Sequence, residues 1–327
     1  MLAAHAVAAR TGEILQTEEY AGGVVHRVIR VRGTRGSVIL KHRGQACHRI
    51  PEAPLRPQDI LIEATALQRI NRILPAATPR LLTLDDANHI LVLSDLRAPG
   101  LHPGPAFLHT ASLPAVRSAG AATVRAVAQL NRDLPGDQLR PEDPDQFLVR
   151  QLSTRIGYHD TRGCQRLAEH LLGQDREFSL GDPSPKNLLL GPARVALFDF
   201  EQAHAGPRGF DLAHVLAHWL LHRLHIDTAT ELAYTSSTIL AAYQAERPLG
   251  PSTKAYLGQL VAALAAFRLR HPLLHYPLAL DADRRNVLTD RALTLVDRIG
   301  TNAEEVTHQL ADLHAAITLP DAPASRA

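Results

Sequence analysis

The chain has 327 residues, 45% of them hydrophobic and 21% charged, with 35 basic side chains against 33 acidic ones. That composition supports a buried core and excludes a disordered chain, and the near balance of charge leaves no electrostatic footprint for nucleic acid or an anionic membrane. Cys47 and Cys164 are its two cysteines, which excludes a disulfide framework and a four-cysteine zinc site. No apolar run approaches the roughly 18–20 residues that cross a bilayer. Residues 1–10 carry no basic start of the kind that opens a secretory signal. The expectation is a cytoplasmic protein with about two domains. Only Lys41, Lys186 and Lys254 are lysines, and every other basic side chain is Arg. Arg cannot replace a compact ammonium at a tight site, so each lysine is a candidate for a chemical role.

In chain order, residues 24–32 are rich in β-branched side chains and read as a strand, and residues 37–42 as a second one after the turn Gly33-Thr-Arg-Gly36. Pro51, Pro54 and Pro57 mark a loop. Residues 59–74 follow a helical period, with Ile60, Ala64, Leu67, Ile70 and Leu74 on or near one face. Residues 81–85 and 89–95 read as a strand pair, and 97–114 as loop. Helical periods then dominate, over 114–133, 143–172, 211–225, 229–246, 253–270, 283–299 and 302–317. Residues 187–190 and 195–200 interrupt them as a short hairpin across Gly191-Pro192. The tail from Pro320 is expected to fray. The expected organisation is α+β: a small β-rich lobe over 1–95, a larger helical lobe over 96–327, and site residues in the cleft between them, a common place for ligands.

The strongest chemical signal is Gly181-Asp-Pro-Ser-Pro-Lys-Asn187, followed by Leu197-Phe-Asp-Phe-Glu201. Hard cations such as Mg²⁺ take oxygen ligands and favour a carboxylate and an amide together with substrate phosphates. Asn187 and Asp199 can supply those oxygens. Asp182 can then face a hydroxyl, orient it and accept its proton. Asp199 also follows an apolar run, where a carboxylate is costly unless paired or bound to a metal.

These segments resemble the aminoglycoside phosphotransferase and choline-kinase-like family, and the resemblance covers most of the chain. Its H-G-D-x-x-x-x-N loop corresponds to Leu180-Gly181-Asp182 through Asn187, its D-x-E/D element to Asp199-Phe200-Glu201, and its F-D-L-A to Phe210-Asp211-Leu212-Ala213. The resemblance implies a protein-kinase-like fold and an ATP-dependent small-molecule kinase using Mg²⁺. It implies that Lys41, on a strand, holds the phosphates and that Glu63 pairs with it, with Glu52 the competing candidate in a Pro-flanked loop. It places a phosphate-covering turn at Gly22 and Gly23, Asp182 in the catalytic role, and Asn187 and Asp199 on the metal. Lys186 either meets the γ-phosphate, meets an acidic substrate, or faces solvent. Asp211 caps the following helix, and in the family the matching Asp also braces the catalytic loop. Glu201 is either a second metal ligand or a pocket residue. Leu180 stands where the family has His, which keeps packing but removes a hydrogen bond.

His214, His218, His222 and His225 fall on one helical face, a spacing that suits Zn²⁺, but no H-E-x-x-H accompanies them. No P-loop, Rossmann glycine fingerprint or G-x-S-x-G occurs. Only a short span separates Asp199 from Asp211, which leaves no room for a peptide-docking segment and favours a small acceptor. The reading is therefore transfer of the γ-phosphate of Mg-ATP to a hydroxyl of a small metabolite or antibiotic. The alternative is a silent nucleotide-binding pseudokinase. Aminoglycoside, methylthioribose-like sugar and homoserine all remain open as acceptors, as does oligomeric state.

Overall fold

The computed structural model describes residues 2–20, 25–136, 139, 143–271, 280–298 and 306–317. The chain divides into two compact units, Met1–Gly100 with Ala196–Ala203, and Leu101–Val195 with His204–Ala327. Ala196–Ala203, deep in the second half of the sequence, thus clusters with the N-terminal residues.

The first unit contains α1 (Leu2–Thr11), β1 (Ile14–Glu19), β2 (Arg27–Gly33), β3 (Gly36–His42), β4 (Ala46–Cys47), β5 (Ile50–Pro54), α2 (Ile60–Ile73), β6 (Leu81–Asp85) and β7 (Ile90–Ser94). Five strands form an antiparallel sheet in the order β1-β2-β3-β7-β6. Ala3 and Val7 of α1 bury against Val31, Val38 and Val92 on one sheet face. Side chains alternate along a strand, so Lys41, three residues beyond Val38 on β3, projects from the other face. Ile60, Ala64, Leu67 and Ile70 of α2 are buried, and Glu63 is buried with them. An ionisable side chain among these apolar neighbours needs a partner.

The second unit contains β8 (His102–Pro103), α3 (Gly104–Thr110), α4 (Leu113–Asp133), α5 (Pro144–Arg155), α6 (Arg162–Leu172), β9 (Arg176–Ser179) and β10 (Leu188–Gly191). The chain leaves it along β11 (Arg194–Leu197), returns at β12 (His204–Pro207), and continues through α7 (Phe210–Arg223), α8 (Ala229–Glu246), α9 (Pro251–Arg270), α10 (Ala282–Arg298) and α11 (Val306–Ile317). Every residue of α7 is buried, as are most of α9, so these two helices form the centre of this unit. The antiparallel pair β9–β12 sets Ser179 opposite His204, immediately before Gly181-Asp182. A 3₁₀ turn at Pro185–Asn187 then leads into β10, which pairs with β8.

Several sequence expectations are corrected. The proline-marked segment is not all loop: β4 and β5 form a ribbon there, and a two-stranded ribbon has free edges where Pro forfeits no ladder bond. Residues 97–114 contain α3, whose Pro105 sits in the first turn, where a missing N–H costs nothing. The continuous helix expected over 143–172 is two helices, broken by the 3₁₀ turn Gly157–His159 and by Asp160 in a left-handed conformation. His225 lies beyond the end of α7 and is exposed, so the four-histidine row is a three-histidine one.

Candidate functional site

In the first unit, Lys41 Nζ lies 2.6 Å from Glu63 Oε2 and 2.5 Å from Asp199 Oδ1. The other Glu63 oxygen accepts the Phe200 N–H at 3.3 Å, tying α2 to the segment that carries Asp199. Asp199 adopts a left-handed backbone at φ 67°, a conformation few non-glycine residues hold and one in which Asp is enriched. Two residues on, Glu201 accepts from Arg43 Nη1 at 2.9 Å and lies 3.4 Å from His26 Nδ1. Arg43 Nη1 is also 3.2 Å from His26 Nε2, so the neutral ring accepts there. Burial keeps His26 neutral, with its pKa well below the usual histidine range.

The charges in this network are mutually dependent. Burial alone would lower the Lys41 ammonium, but Asp199, Glu63 and Glu201 raise it above the usual lysine range. Burial raises Glu63, against the pull of Lys41. Burial and the neighbouring Asp199 push Glu201 up to about 7. His26, Glu63 and Asp199 each bring a ligand atom within 4.8 Å of the others. The Lys41 ammonium already bridges the two carboxylates and both ring nitrogens of His26 face partners, so this trio is an ion-pair network first. Asp199 is the accessible member, with a side chain 28% exposed against 1% for Glu63. Its carboxylate chemistry suits a hard divalent cation.

In the second unit, the Asp182 loop hangs on Asp211. The Asp211 carboxylate accepts the Leu180 and Gly181 N–H groups at 2.8 and 3.0 Å, the Ser179 hydroxyl at 2.7 Å and Asn131 Nδ2 at 3.1 Å. Tyr243 in turn donates to Asn131 Oδ1 at 3.1 Å. Gly181 sits at φ 78°, which lets the two adjacent N–H groups converge on one carboxylate. Gly104, opening α3, is pressed so closely on the same loop that a Cβ would lie 2.2 Å from the Pro185 carbonyl oxygen. Asp211 therefore braces the loop and does not cap α7 as expected: the N-cap is Gly209, no side chain caps it, and the Asp211 carboxylate is turned to the loop. Leu180 is buried and contributes its backbone N–H to the same carboxylate.

Asp182 is buried, with Oδ1 accepting from Arg268 Nη2 at 3.1 Å and Oδ2 lying 3.2 Å from Lys186 Nζ. Arg155 donates to the neighbouring Gly181 carbonyl and approaches His214 Nε2 at 2.9 Å. Burial alone would raise the Asp182 carboxyl, but Lys186, Arg268 and Arg155 hold it well below the usual carboxylate range. Asn187 Nδ2 donates to the Asp182 carbonyl at 2.9 Å, which commits the amide nitrogen and leaves its oxygen as the atom able to ligate a cation. His214, His218 and His222 are buried along α7. Burial keeps all three neutral, with His222 lowered to about 3.

The residues named from the sequence are placed as follows. Lys41, Glu63 and Asp199 meet within the first unit, and Asp182, Lys186 and Asn187 within the second. Glu52 is exposed on β5, and no described ion pair joins it to Lys41. Gly22 and Gly23 lie outside the described residues. Sequence reasoning missed Arg268, Arg155, Arg43 and His26. Arg268 left a trace, since it interrupts the apolar run Ala262–Phe267 on α9, and a buried charge implies a partner.

The model of the phosphotransferase enzyme family matches residues 16–249. The N-acetylmuramate/N-acetylglucosamine kinase of Pseudomonas aeruginosa is 32% identical over 149 residues, which are 41% of this chain and 42% of that protein. The match thus spans less than half the length of that relative. Among solved structures, a choline/ethanolamine kinase family protein from Mesorhizobium loti is similar with TM-score 0.57 at 16% identity, covering 94% of this chain and 97% of that one. An amicoumacin kinase in complex with AMP-PNP, Ca²⁺ and Ami is similar with TM-score 0.59 at 17% identity, covering 93% and 95%. At such identities the likeness establishes the fold, which is protein-kinase-like and α+β. No helix among the described residues is long and apolar enough to cross a membrane.

Proposed function

The chain belongs to the phosphotransferase enzyme family, and on that premise we propose that it moves the γ-phosphoryl group of ATP to a hydroxyl of a small molecule. The observation that supports this most is the meeting of Lys41, Glu63 and Asp199, residues far apart in sequence, at ion-pair distance. Glu63 holds the Lys41 ammonium for nucleotide phosphate oxygens. Asn187 and Asp199 are the oxygen donors for a divalent cation, which when bound neutralises phosphate charge. The amicoumacin kinase was solved with AMP-PNP and Ca²⁺, in keeping with this assignment. Asp182 receives the hydrogen bond of the acceptor hydroxyl and aims its oxygen. A carboxylate of such depressed basicity takes the proton late, which suits a loose phosphoryl-transfer transition state.

The name of the Pseudomonas relative points to an amino sugar as acceptor, and that is the acceptor class proposed for this chain. The silent-pseudokinase alternative is not carried forward. The matched family is one of phosphotransferase enzymes, and Asp182, Asn187 and Asp199 are all present. The test is label transfer from γ-labelled ATP to N-acetylated hexosamines, comparing the protein with Asp182→Asn and Asp199→Asn. We expect at least a ~10³-fold loss in each variant, the scale of losing a positioned base or charge-stabilising group, with unchanged circular dichroism. Transfer at full rate by both variants would overturn the assignment.

A further inference from the structure

The backbone around Asp182 is held one peptide unit at a time. The unit before Gly181 is fixed by Asp211, which accepts the Gly181 N–H at 3.0 Å. The unit after Asp182 is fixed by Asn187, whose Nδ2 donates to the Asp182 carbonyl at 2.9 Å. The unit between them is gripped through the Gly181 carbonyl, which accepts from Arg155 Nη1. This middle unit needs a grip most, because Gly181 at φ 78° has no Cβ to restrict its rotation. Turning that unit changes φ of Asp182 and swings its carboxylate. Arg155, the last residue of α5, is aimed in turn by α7. His214 Nδ1 lies 3.1 Å from the Phe210 carbonyl oxygen, which can only accept, so Nδ1 carries the hydrogen. Nε2 of the neutral ring then offers a lone pair, and Arg155 Nη1 donates to it at 2.9 Å. Burial and the adjacent guanidinium hold the ring well below the usual histidine range, so this lone pair persists. Nη1 carries two hydrogens, enough for both the ring and the Gly181 carbonyl. Both side chains are buried.

We propose that Arg155 and His214 are positioning residues for the transfer: His214, in its Nδ1–H form, aims the Arg155 guanidinium, and Arg155 fixes the Gly181–Asp182 peptide unit so that the Asp182 carboxylate points at the acceptor hydroxyl. This rests on the kinase reading above and adds two residues that act through the backbone of the loop. Arg155 also lends positive charge to Asp182, together with Lys186 and Arg268. The two roles separate experimentally, because His214 influences the aim of Arg155 without carrying charge itself.

The test follows transfer from γ-labelled ATP, with Mg²⁺, into a bacterial metabolite extract at varied ATP, for the full chain and its variants. Displacing a reacting group by about 1 Å costs on the order of 10²-fold, so Arg155→Met is expected to lower kcat by about that factor and leave KM for ATP within about twofold. His214→Leu keeps the Arg155 charge and removes only its acceptor, which is expected to cost about tenfold in kcat. His214→Gln places a carbonyl oxygen near the position of Nε2 and is expected to regain most of that loss. The double variant Arg155→Met/His214→Leu is expected to be no slower than Arg155→Met alone, since His214 acts through Arg155. The losses are expected to be equal at about pH 6 and pH 8, whereas a role confined to keeping Asp182 ionised disappears at the higher pH. Losses that multiply in the double variant, a loss that disappears at high pH, or His214→Leu transferring as fast as the wild type each overturn the inference while leaving the kinase reading intact. If Arg155→Met loses its circular dichroism signal, the contrast between His214→Leu and His214→Gln decides. No transfer by the wild type counts against the kinase reading, and the inference falls with it.

Discussion

The two units arrange charge in opposite ways. Around Lys41, the carboxylates of Glu63, Asp199 and Glu201 outnumber the two cations Lys41 and Arg43. Around Asp182, Arg268 and Lys186 both pair with the carboxylate, and Arg155 donates to the neighbouring Gly181 carbonyl. A surplus of buried carboxylate is relieved by a cation, and a surplus of buried cation by an anion. The first network is therefore suited to a divalent ion, whereas in the second the cations keep the buried Asp182 carboxylate ionised. Both hold their key group by a partner on a packed helix, Glu63 on α2 and Arg268 on α9, so charge and rigidity come from the same contact.

The largest expected effect comes from removing the cation of the carboxylate-rich unit. Lys41→Met leaves Glu63 buried beside Asp199 with no ammonium between them. Breaking a buried pair this way costs about 3 kcal/mol or more, so urea melts should show that loss alongside loss of transfer. Adding Glu63→Gln removes the stranded charge and should restore most of the stability but none of the activity. If the double variant is no more stable than the single one, Lys41 does not hold this network together.

The cation-rich unit is probed next through pH. Asp182 must be ionised to accept a proton, and its depressed pKa means that it contributes stability above the ordinary carboxylate range and loses it only as pH falls further. The rate profile is thus expected to show no acid limb from Asp182 down to about pH 5. Arg268→Met removes one of the cations, raises the carboxyl and brings the acid limb to higher pH. Superimposable profiles of kcat against pH from about 4.5 to 8 would mean that Arg268 does not act on Asp182.

A smaller effect belongs to the buried histidines of the second unit. Burial lowers His214 and His218, takes His222 to about 3, and takes His314 to about 4. Their unfolded counterparts titrate near 6.5, so unfolding takes up protons below that pH. Stability should be full above about pH 6.5 and fall as pH drops, by up to about 1.4 kcal/mol per pH unit for each histidine. His222→Gln should flatten this slope by one histidine's share in denaturant melts at about pH 7.5, 6 and 5. An unchanged slope would place the proton uptake elsewhere.

Chain order and residue type alone determined much of this protein. The strands around Lys41, the helix carrying Glu63 and the Gly181–Asn187 loop are local patterns, since period-2 and period-3.6 burial and turn residues are written over a few positions. The edge strand β1 escaped that reading because all of its residues are exposed, so no alternation marks it. The helix α3 escaped because its Gly and Pro are the residues of a loop as well as of a helix start. What only tertiary structure decided are the partners. Arg268 reaches Asp182 across 86 residues, and Asn131 reaches Asp211 across 80. An Arg within an apolar helix announces that it needs a counter-charge, but not which one. That choice depends on how α9 packs beside the loop, and packing is set by the summed burial of many apolar side chains far from the charge itself.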